Sequence, residues 1–187
     1  MQENYFEEKS FGKEFMPQKG EYENCDFNNC SFAGCDLSDY RFVNSRFNIC
    51  DFSLAKLYNT MFQDVKFLDC KMVGLQFDMC NEFGISFSFE GCGLNHSCFY
   101  RMNLKRIVFK NSQLQEVDFV EADLSNAVFQ NCDLSGAVFD RTLLEKADFR
   151  TSYNYTLDPE VNRIKKAKFS SKEVLGLLEK YDIEIEY

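Results

Sequence analysis

Residues 119–139 read FVEADLSNAVFQNCDLSGAVF, and within them Phe or Leu recurs at every fifth position. A small residue mostly stands two positions earlier, with a mostly polar residue between, as in Ala122-Asp123-Leu124. The spacing holds from Phe89 to Phe149 without exception. A period of five matches neither the 3.6 residues of a helical turn nor the alternation of a long flat strand. The stretch is therefore a repeat unit of its own.

Each five-residue unit can form one side of a closed coil. If the Phe or Leu and the small residue both point inward, the residue between them points outward, as in a very short strand. The other two residues turn the corner. Four such sides close a square, so one coil takes about twenty residues and neighbouring coils pair as parallel strands about 4.8 Å apart. The repeat predicts an all-β solenoid that needs no helical connections.

Steps of twenty residues test this closure, because they should bring like residues to the same side. They place Phe on two opposite sides and Leu on the other two, so we expect a core of identical side chains, offset-stacked where aromatic. The predicted core ladder consists of Phe89, Phe109, Phe129, Phe149, Phe99, Phe119, Phe139, Leu94, Leu114, Leu134, Leu104, Leu124 and Leu144.

The same step extends the ladder beyond this stretch in both directions. Phe169 falls above Phe149, and the earlier part of the array is predicted to stack Phe27, Phe47, Phe67 and Phe87. Within residues 78–89 the spacing shifts by two residues, which predicts a bulge or short loop between two lobes. The predicted β-helix therefore covers residues 21–169.

The two ends of the chain lack the strict repeat. Residues 1–20 carry irregularly spaced aromatic residues and predict a cap over the exposed first coil. In residues 170–187, Ser170 and Glu173 have the spacing of a capping box and precede an apolar stripe, which predicts a short C-terminal α-helix. The last six residues alternate polar and apolar, which predicts a short strand.

Charge and composition narrow the function classes. A formal net charge of −9 disfavours nucleic acid and anionic membranes as partners. No apolar run approaches the roughly 20 residues of a membrane span, and the first residues lack the features of a signal peptide. We therefore expect a cytoplasmic protein.

The cysteines follow the repeat rather than a disulfide pattern. All except Cys98 occupy the small inward position, where a thiol serves as a small buried apolar group. Cys30, Cys50 and Cys70 share one column at a spacing that a disulfide tolerates. A redox or metal role is the alternative, but no His accompanies them and thiols in a sealed core are inert.

Nothing in the repeat indicates catalysis. A filled rod has no cleft in which polar groups converge. The single histidine, His96, falls at an outward corner, and Asp118 and Glu121 are predicted to be a solvated pair rather than an acid and a base. We expect no catalytic residues, no metal ion and no cofactor.

The segments Glu121–Ser125 and Asn131–Ala137 resemble the A(D/N)LXX unit of pentapeptide-repeat proteins, over about residues 20–169. The resemblance implies a right-handed quadrilateral β-helix. An array that ends in a short apolar helix resembles the Qnr and MfpA group, whose C-terminal helix joins two subunits end to end in a rod that mimics B-form DNA. Those proteins bind DNA gyrase or topoisomerase IV and confer quinolone resistance. The long loops that project from some Qnr rods have no counterpart here beyond the short break at 78–89.

This resemblance implies two interaction surfaces and a homodimer. The apolar residues of the C-terminal helix are the implied dimer interface: Val174, Leu175, Leu177, Leu178, Tyr181 and Ile183. Outward acids of the second lobe are the implied acidic binding face: Asp118, Glu121, Asp123, Asp133 and Asp148. Two alternatives stay open, namely a tail that only seals the last coil of a monomer, and a general scaffold or interaction protein whose partner is unknown.

Overall fold

The computed structural model describes residues 4–186. Short parallel strands and isolated β-bridges form an all-β parallel solenoid. The strands are β1 Asn4–Glu7, β2 Ser10–Phe11, β3 Gly20–Glu23, β4 Asp26–Asn28, β5 Arg41–Val43, β6 Arg46–Asn48, β7 Met61–Gln63, β8 Val65–Leu68, β9 Phe87–Glu90, β10 Val108–Lys110 and β11 Val128–Gln130. Short 3-10 turns cover Phe77–Met79, Val174–Leu177 and Glu179–Tyr181.

The outward residues form four columns, which we number as the sides of the rod. Side 1 is a seven-stranded sheet in the order β11-β10-β9-β8-β6-β4-β2, and side 4 begins as the four-stranded sheet β1-β3-β5-β7. Sides 2 and 3 are held by isolated parallel bridges, for example Gln113↔Asp133 on side 2 and Cys98↔Asp118 on side 3. After a break, side 4 continues as Asn103↔Asp123↔Leu143.

The corners between sides explain why the repeat needs its last two residues. At many corners the second of them has a positive φ, as at Gly34 (66°) and Asn126 (61°). At those two corners the turn is closed by a hydrogen bond from the next N–H to the central residue, Cys35 to Phe32 and Ala127 to Leu124, each 2.9 Å. This is the geometry of a type II turn, for which Gly and Asn are suited.

The core consists of stacked columns of identical side chains. Phe109 pairs in register with Phe129, and their rings stack with centroids 5.2 Å apart and planes 12° from parallel. Phe119 stacks on Phe99 and Phe139 at 5.4 and 5.3 Å. Every member of the predicted core ladder is buried. Phe169 stacks on Phe149 at 5.4 Å, so the column continues to the last coil.

The shift between the two lobes corrects one expected stack. Phe67 pairs and stacks with Phe89, at 5.3 Å, rather than with Phe87. Phe87 is displaced to the position opposite Val65. The reason is that this coil is two residues longer than the others. The extra residues form a loop on side 4, and Phe89 therefore takes the place of Phe87 in the buried aromatic column.

Strands β1 and β2 begin the array. The ring of Phe6 stacks on Tyr22 at 4.6 Å, and Phe11 stacks on Phe27 at 5.0 Å, so these residues cover the first full coil. Residues 1–3 of the expected cap lie outside the described residues.

The C-terminal segment differs from the expected α-helix. Val174–Leu177 and Glu179–Tyr181 are 3-10 turns, and residues 182–186 make no strand pairing within the described part of the chain. Tyr187 lies outside that part. The Ser170 Oγ does accept the N–H of Glu173, at 3.1 Å, but the Glu173 carboxylate accepts the N–H of Asn154 instead of completing the capping box.

Docking on the last coil is the physical reason for the broken helix. The Gly176 carbonyl accepts a hydrogen bond from the N–H of Leu157, at 3.2 Å, and a Cβ added at Gly176 would lie 1.9 Å from the Tyr155 carbonyl oxygen. Glycine permits this approach, and it also disfavours an α-helix by about 1 kcal/mol relative to alanine.

Candidate interaction surfaces

The interior of the rod is filled, so its outer surface is where chemistry or binding can occur. Phe27, Phe67 and Phe109 in side 1 are fully buried, as are Leu94 and Leu114 in side 2. The described residues contain no group of His, Cys, Asp and Glu side chains suited to hold a metal ion. Across residues 4–186 there is also no helix with the length and apolar character that crossing a bilayer requires.

The acids predicted to form one binding face are distributed around the rod. Asp148 lies in the column of side 1, Asp133 in that of side 2, Asp118 in that of side 3 and Asp123 in that of side 4. Glu121 lies at the corner between sides 3 and 4. The structure therefore does not bring these five carboxylates together, because consecutive repeat units point to different sides.

Nearby cations, from the same coil or from neighbouring coils, also offset these acids. The Glu121 carboxylate lies 2.6 Å from Arg101 Nε and 3.2 Å from an Arg141 terminal nitrogen. Hydrogen bonding from Arg101 lowers the pKa of the Glu121 carboxyl, and hydrogen bonding from Arg150 likewise lowers the pKa of Asp148. Both acids are held ionised, but their fields are partly cancelled by the adjacent cations.

Two further sequence candidates have ordinary structural roles. His96 is at a corner with φ 60°, and its Nδ1 lies 3.2 Å from a Glu116 carboxylate oxygen, with both side chains exposed. Buried thiols donate to backbone carbonyls of the preceding coil, as Cys50 does to Phe27 at 3.4 Å. Burial raises the pKa of Cys30 to about 12 and that of Cys132 to about 11, which keeps both protonated at neutral pH.

The C-terminal apolar residues divide into two sets. Leu177 packs against the core, and Leu175 is half-buried. The other predicted interface residues face outward, together with Ile185: Val174 is 36% exposed, Leu178 36%, Tyr181 47%, Ile183 55% and Ile185 41%. Lys180 fixes this surface to the rod, because its Nζ lies 2.6 Å from both Asp158 and Glu160.

The break between the lobes exposes a large aromatic residue that sequence reasoning did not single out. Phe83 is 83% exposed in a turn with Gly84, which has a φ of 70° and lies beside Gln63. Next to the turn is a groove of about 170 Å³, lined by the apolar residues Ile85, Phe87, Leu104 and Ile107 and by Ser86, Asn103, Lys105 and Arg106. The only sequence signal was the failed repeat position at Glu82.

Comparison with known proteins agrees with this geometry. Residues 85–155 match the family model described as a pentapeptide repeat region. The fold is similar to that of trypsin-treated QnrB1, described as a plasmid-mediated fluoroquinolone resistance protein, with a TM-score of 0.51, 20% identity, 98% of this chain covered and 100% of that one. A second trypsin-treated QnrB1 structure has a TM-score of 0.51 and 21% identity. The match covers 97% of this chain and 97% of that one.

A more distant similarity is to HetL, a pentapeptide-repeat protein involved in heterocyst differentiation regulation from the cyanobacterium Nostoc. Its TM-score is 0.44 at 15% identity, with 90% of this chain and 85% of that one covered. No curated protein sequence matches the chain. At these identities the similarity to QnrB1 establishes the shared fold.

Proposed function

We propose that this pentapeptide-repeat protein, which has the fold of QnrB1, acts as a non-enzymatic rod that binds other proteins through its outer surface. The observation that carries the proposal is the filled core. Its interior columns consist of buried Phe rings and Leu side chains, and its outward residues are spread over convex sides. Such a surface suits side-on contact with a macromolecule rather than enclosure of a small substrate.

A more specific candidate is binding to DNA gyrase or topoisomerase IV as a mimic of DNA. Two observations favour it, namely the fold similarity to a fluoroquinolone resistance protein and the net charge of −9. The charge pattern weakens it, because the outward acids lie on four sides and several are paired with Arg or Lys. We therefore rank a general interaction rod first and topoisomerase binding second.

A supercoiling assay with purified gyrase tests the second candidate. DNA mimicry predicts that the protein inhibits supercoiling at micromolar concentration and that added salt relieves the inhibition. The matched variant is Glu121→Gln, which removes the acid between Arg101 and Arg141 and should weaken inhibition without unfolding the rod. Unimpaired supercoiling at saturating protein would exclude gyrase inhibition and leave the scaffold function. That function is tested by affinity capture of partners from cell extract, with the Phe83→Ser and Leu178→Asp variants as controls.

We also propose that the exposed C-terminal residues pair two rods end to end. The outward set of Val174, Leu178, Tyr181, Ile183 and Ile185 is more apolar surface than a solvent-facing cap requires. The alternative is that the segment only seals the last coil, to which Leu177, Gly176 and Lys180 attach it.

A further inference from the structure

One corner of the rod, between sides 4 and 1, has its charges sorted by sign along its length. We call it the charged edge. Backbone hydrogen bonds stack its residue pairs from coil to coil, with Glu8 donating to Glu23, Asn44 to Gln63, Arg106 to Ser125 and Lys146 to Lys165. In order, the pairs are Glu7-Glu8, Glu23-Asn24, Val43-Asn44, Gln63-Asp64, Ile85-Ser86, Lys105-Arg106, Ser125-Asn126, Glu145-Lys146 and Lys165-Lys166.

The two arms of this edge carry opposite charge. The arm before the break has four acidic residues and no basic one, whereas the arm after it has five basic residues and one acidic. All five cations of the second arm are exposed. Among the described residues, Lys105 pairs with Asp123 at 3.2 Å, and no ion pair engages Arg106, Lys146, Lys165 or Lys166. These four cations are available to an external partner.

The segregation belongs to the edge itself. The adjoining column of side 1 mixes signs, with Asp26, Arg46, Lys66, Asp148 and Lys168 in sequence. Lys9, next to Glu8, lies over the ring of Phe6 at 5.2 Å. Because exposed charges are screened beyond about 8 Å at physiological ionic strength, an approaching surface responds to each arm separately.

We propose that a second copy of this chain binds along the charged edge, antiparallel to the first. The order of charges is self-complementary about the break at every charged level except one, where Glu23 meets both Glu145 and Lys146. Reversing one rod places Glu7 and Glu8 opposite Lys165 and Lys166 of the other, and Asp64 opposite Lys105 and Arg106. The two-fold relation repeats each contact on the other half, as in an isologous interface.

The centre of the edge supplies an apolar contact to this pairing. Exposed ion pairs each contribute little, so the charges set orientation and register rather than hold the pair together. Phe83 projects at the break, beside the groove whose apolar side is formed by Ile85, Phe87, Leu104 and Ile107. In the antiparallel arrangement Phe83 of each rod enters the groove of the other, where an aromatic residue acts as an anchor.

Other anionic or cationic partners match only one arm. A nucleic acid would meet the acidic arm and a net charge of −9, and the edge has no aromatic platform for single-stranded bases apart from Phe83. A second copy presents both signs in the required order. This contact is separate from the proposed end-to-end pairing, which uses the C-terminal surface.

A charge-swap experiment tests the proposal with two double variants of the full chain. Glu7→Lys with Glu8→Lys, and Lys165→Glu with Lys166→Glu, each place like charges opposite each other in a homodimer, whereas the mixture restores opposite charges. Native mass spectrometry of the equimolar mixture should show more heterodimer than random pairing gives, with the excess lost at high salt. Both double variants also carry Leu178→Asp, which abolishes the proposed end-to-end pairing, so a heterodimer fraction at or below the random value overturns the proposal.

A second variant checks the anchor without depending on the charges. Phe83→Ser in both partners should weaken the heterodimer about tenfold, as expected for an interface anchor. The matched control is Leu54→Ser, at another exposed corner of the first lobe, where 71% of the residue is accessible; it should leave pairing unchanged. Circular dichroism confirms that each variant folds. Equal effects of Phe83→Ser and Leu54→Ser on pairing would contradict the proposed anchor. The proposal would also be contradicted if the parent chain bound a DNA duplex while the mixture of charge-swap variants formed no heterodimer.

Discussion

Phe67 and Phe89 stack with ring centroids 5.3 Å apart and planes 10° from parallel, although 22 residues separate them where the array otherwise uses 20. The two extra residues are accommodated in the loop that carries Phe83. Continuity of the aromatic column is therefore kept in preference to continuity of the backbone repeat. Burying a large ring stabilises the fold more than regular strand pairing on side 4 does, because a coil without a ring in the column would leave a cavity.

This preference predicts a large stability loss at the core ladder. Phe109→Ala should lower the free energy of unfolding by about 3–5 kcal/mol, since it removes a buried ring that stacks on both Phe89 and Phe129. Urea unfolding followed by circular dichroism measures the change. The neighbouring Val108→Ala, at a residue 39% exposed, is the control and should shift stability by less than about 0.5 kcal/mol.

The buried thiols predict that stability declines in alkali. Burial raises the pKa of Cys132 from its ordinary value of 9.0 to about 11, so the folded state retains a proton that the unfolded chain releases. The contribution of this thiol to the free energy of unfolding is therefore fully present below pH 9. It is lost between pH 9 and about 11, by on the order of 1 kcal/mol per pH unit. Cys132→Ala should reduce that slope. A slope unchanged by the substitution would show that other groups, such as tyrosines, account for it.

The two adjacent leucines of the tail should behave differently. Leu177 packs against the core, whereas Leu178 faces outward and is 36% exposed. We expect Leu177→Asp to destabilise the last coil by several kcal/mol, and Leu178→Asp to leave stability nearly unchanged while it abolishes end-to-end pairing. Thermal unfolding and light scattering measure these outcomes. If Leu178→Asp keeps the oligomeric state of the parent, the tail is only a seal.

A methyl group at Gly176 should disturb the docking of the tail. The added Cβ would lie 1.9 Å from the backbone oxygen of Tyr155, which cannot rotate away. Gly176→Ala should cost about 1–3 kcal/mol and increase proteolysis after Ser170. Gly93→Ala is the matched control, because a Cβ there meets no atom within 4 Å. Equal protease sensitivity of the two variants would contradict the docking described.

Sequence reasoning was strongest where one side chain repeats at one spacing. The column from Phe89 to Phe149 follows from the step of twenty, because every coil in this part has the same length. The same logic failed at Phe87, where a two-residue excess moved the column to Phe89. It also failed for the C-terminal helix, since its apolar stripe does not reveal that Gly176 must approach the Tyr155 carbonyl.

The acids show the same limit at the surface. Local triplets such as Ala122-Asp123-Leu124 identify outward carboxylates. Two such carboxylates share a side only when a whole number of coils separates them along the chain. The charged edge was missed for this reason, because its members are separated by whole coils and look unrelated along the chain.

The sequence by itself determined the repeat, the inward and outward positions and the four-sided solenoid, because a five-residue unit with two inward side chains permits few other closures. Only the tertiary structure decided where the extra residues at the break are placed, how the tail docks and which charges lie side by side. These depend on contacts between residues one or more coils apart, whose geometry the periodicity constrains only while every coil has equal length.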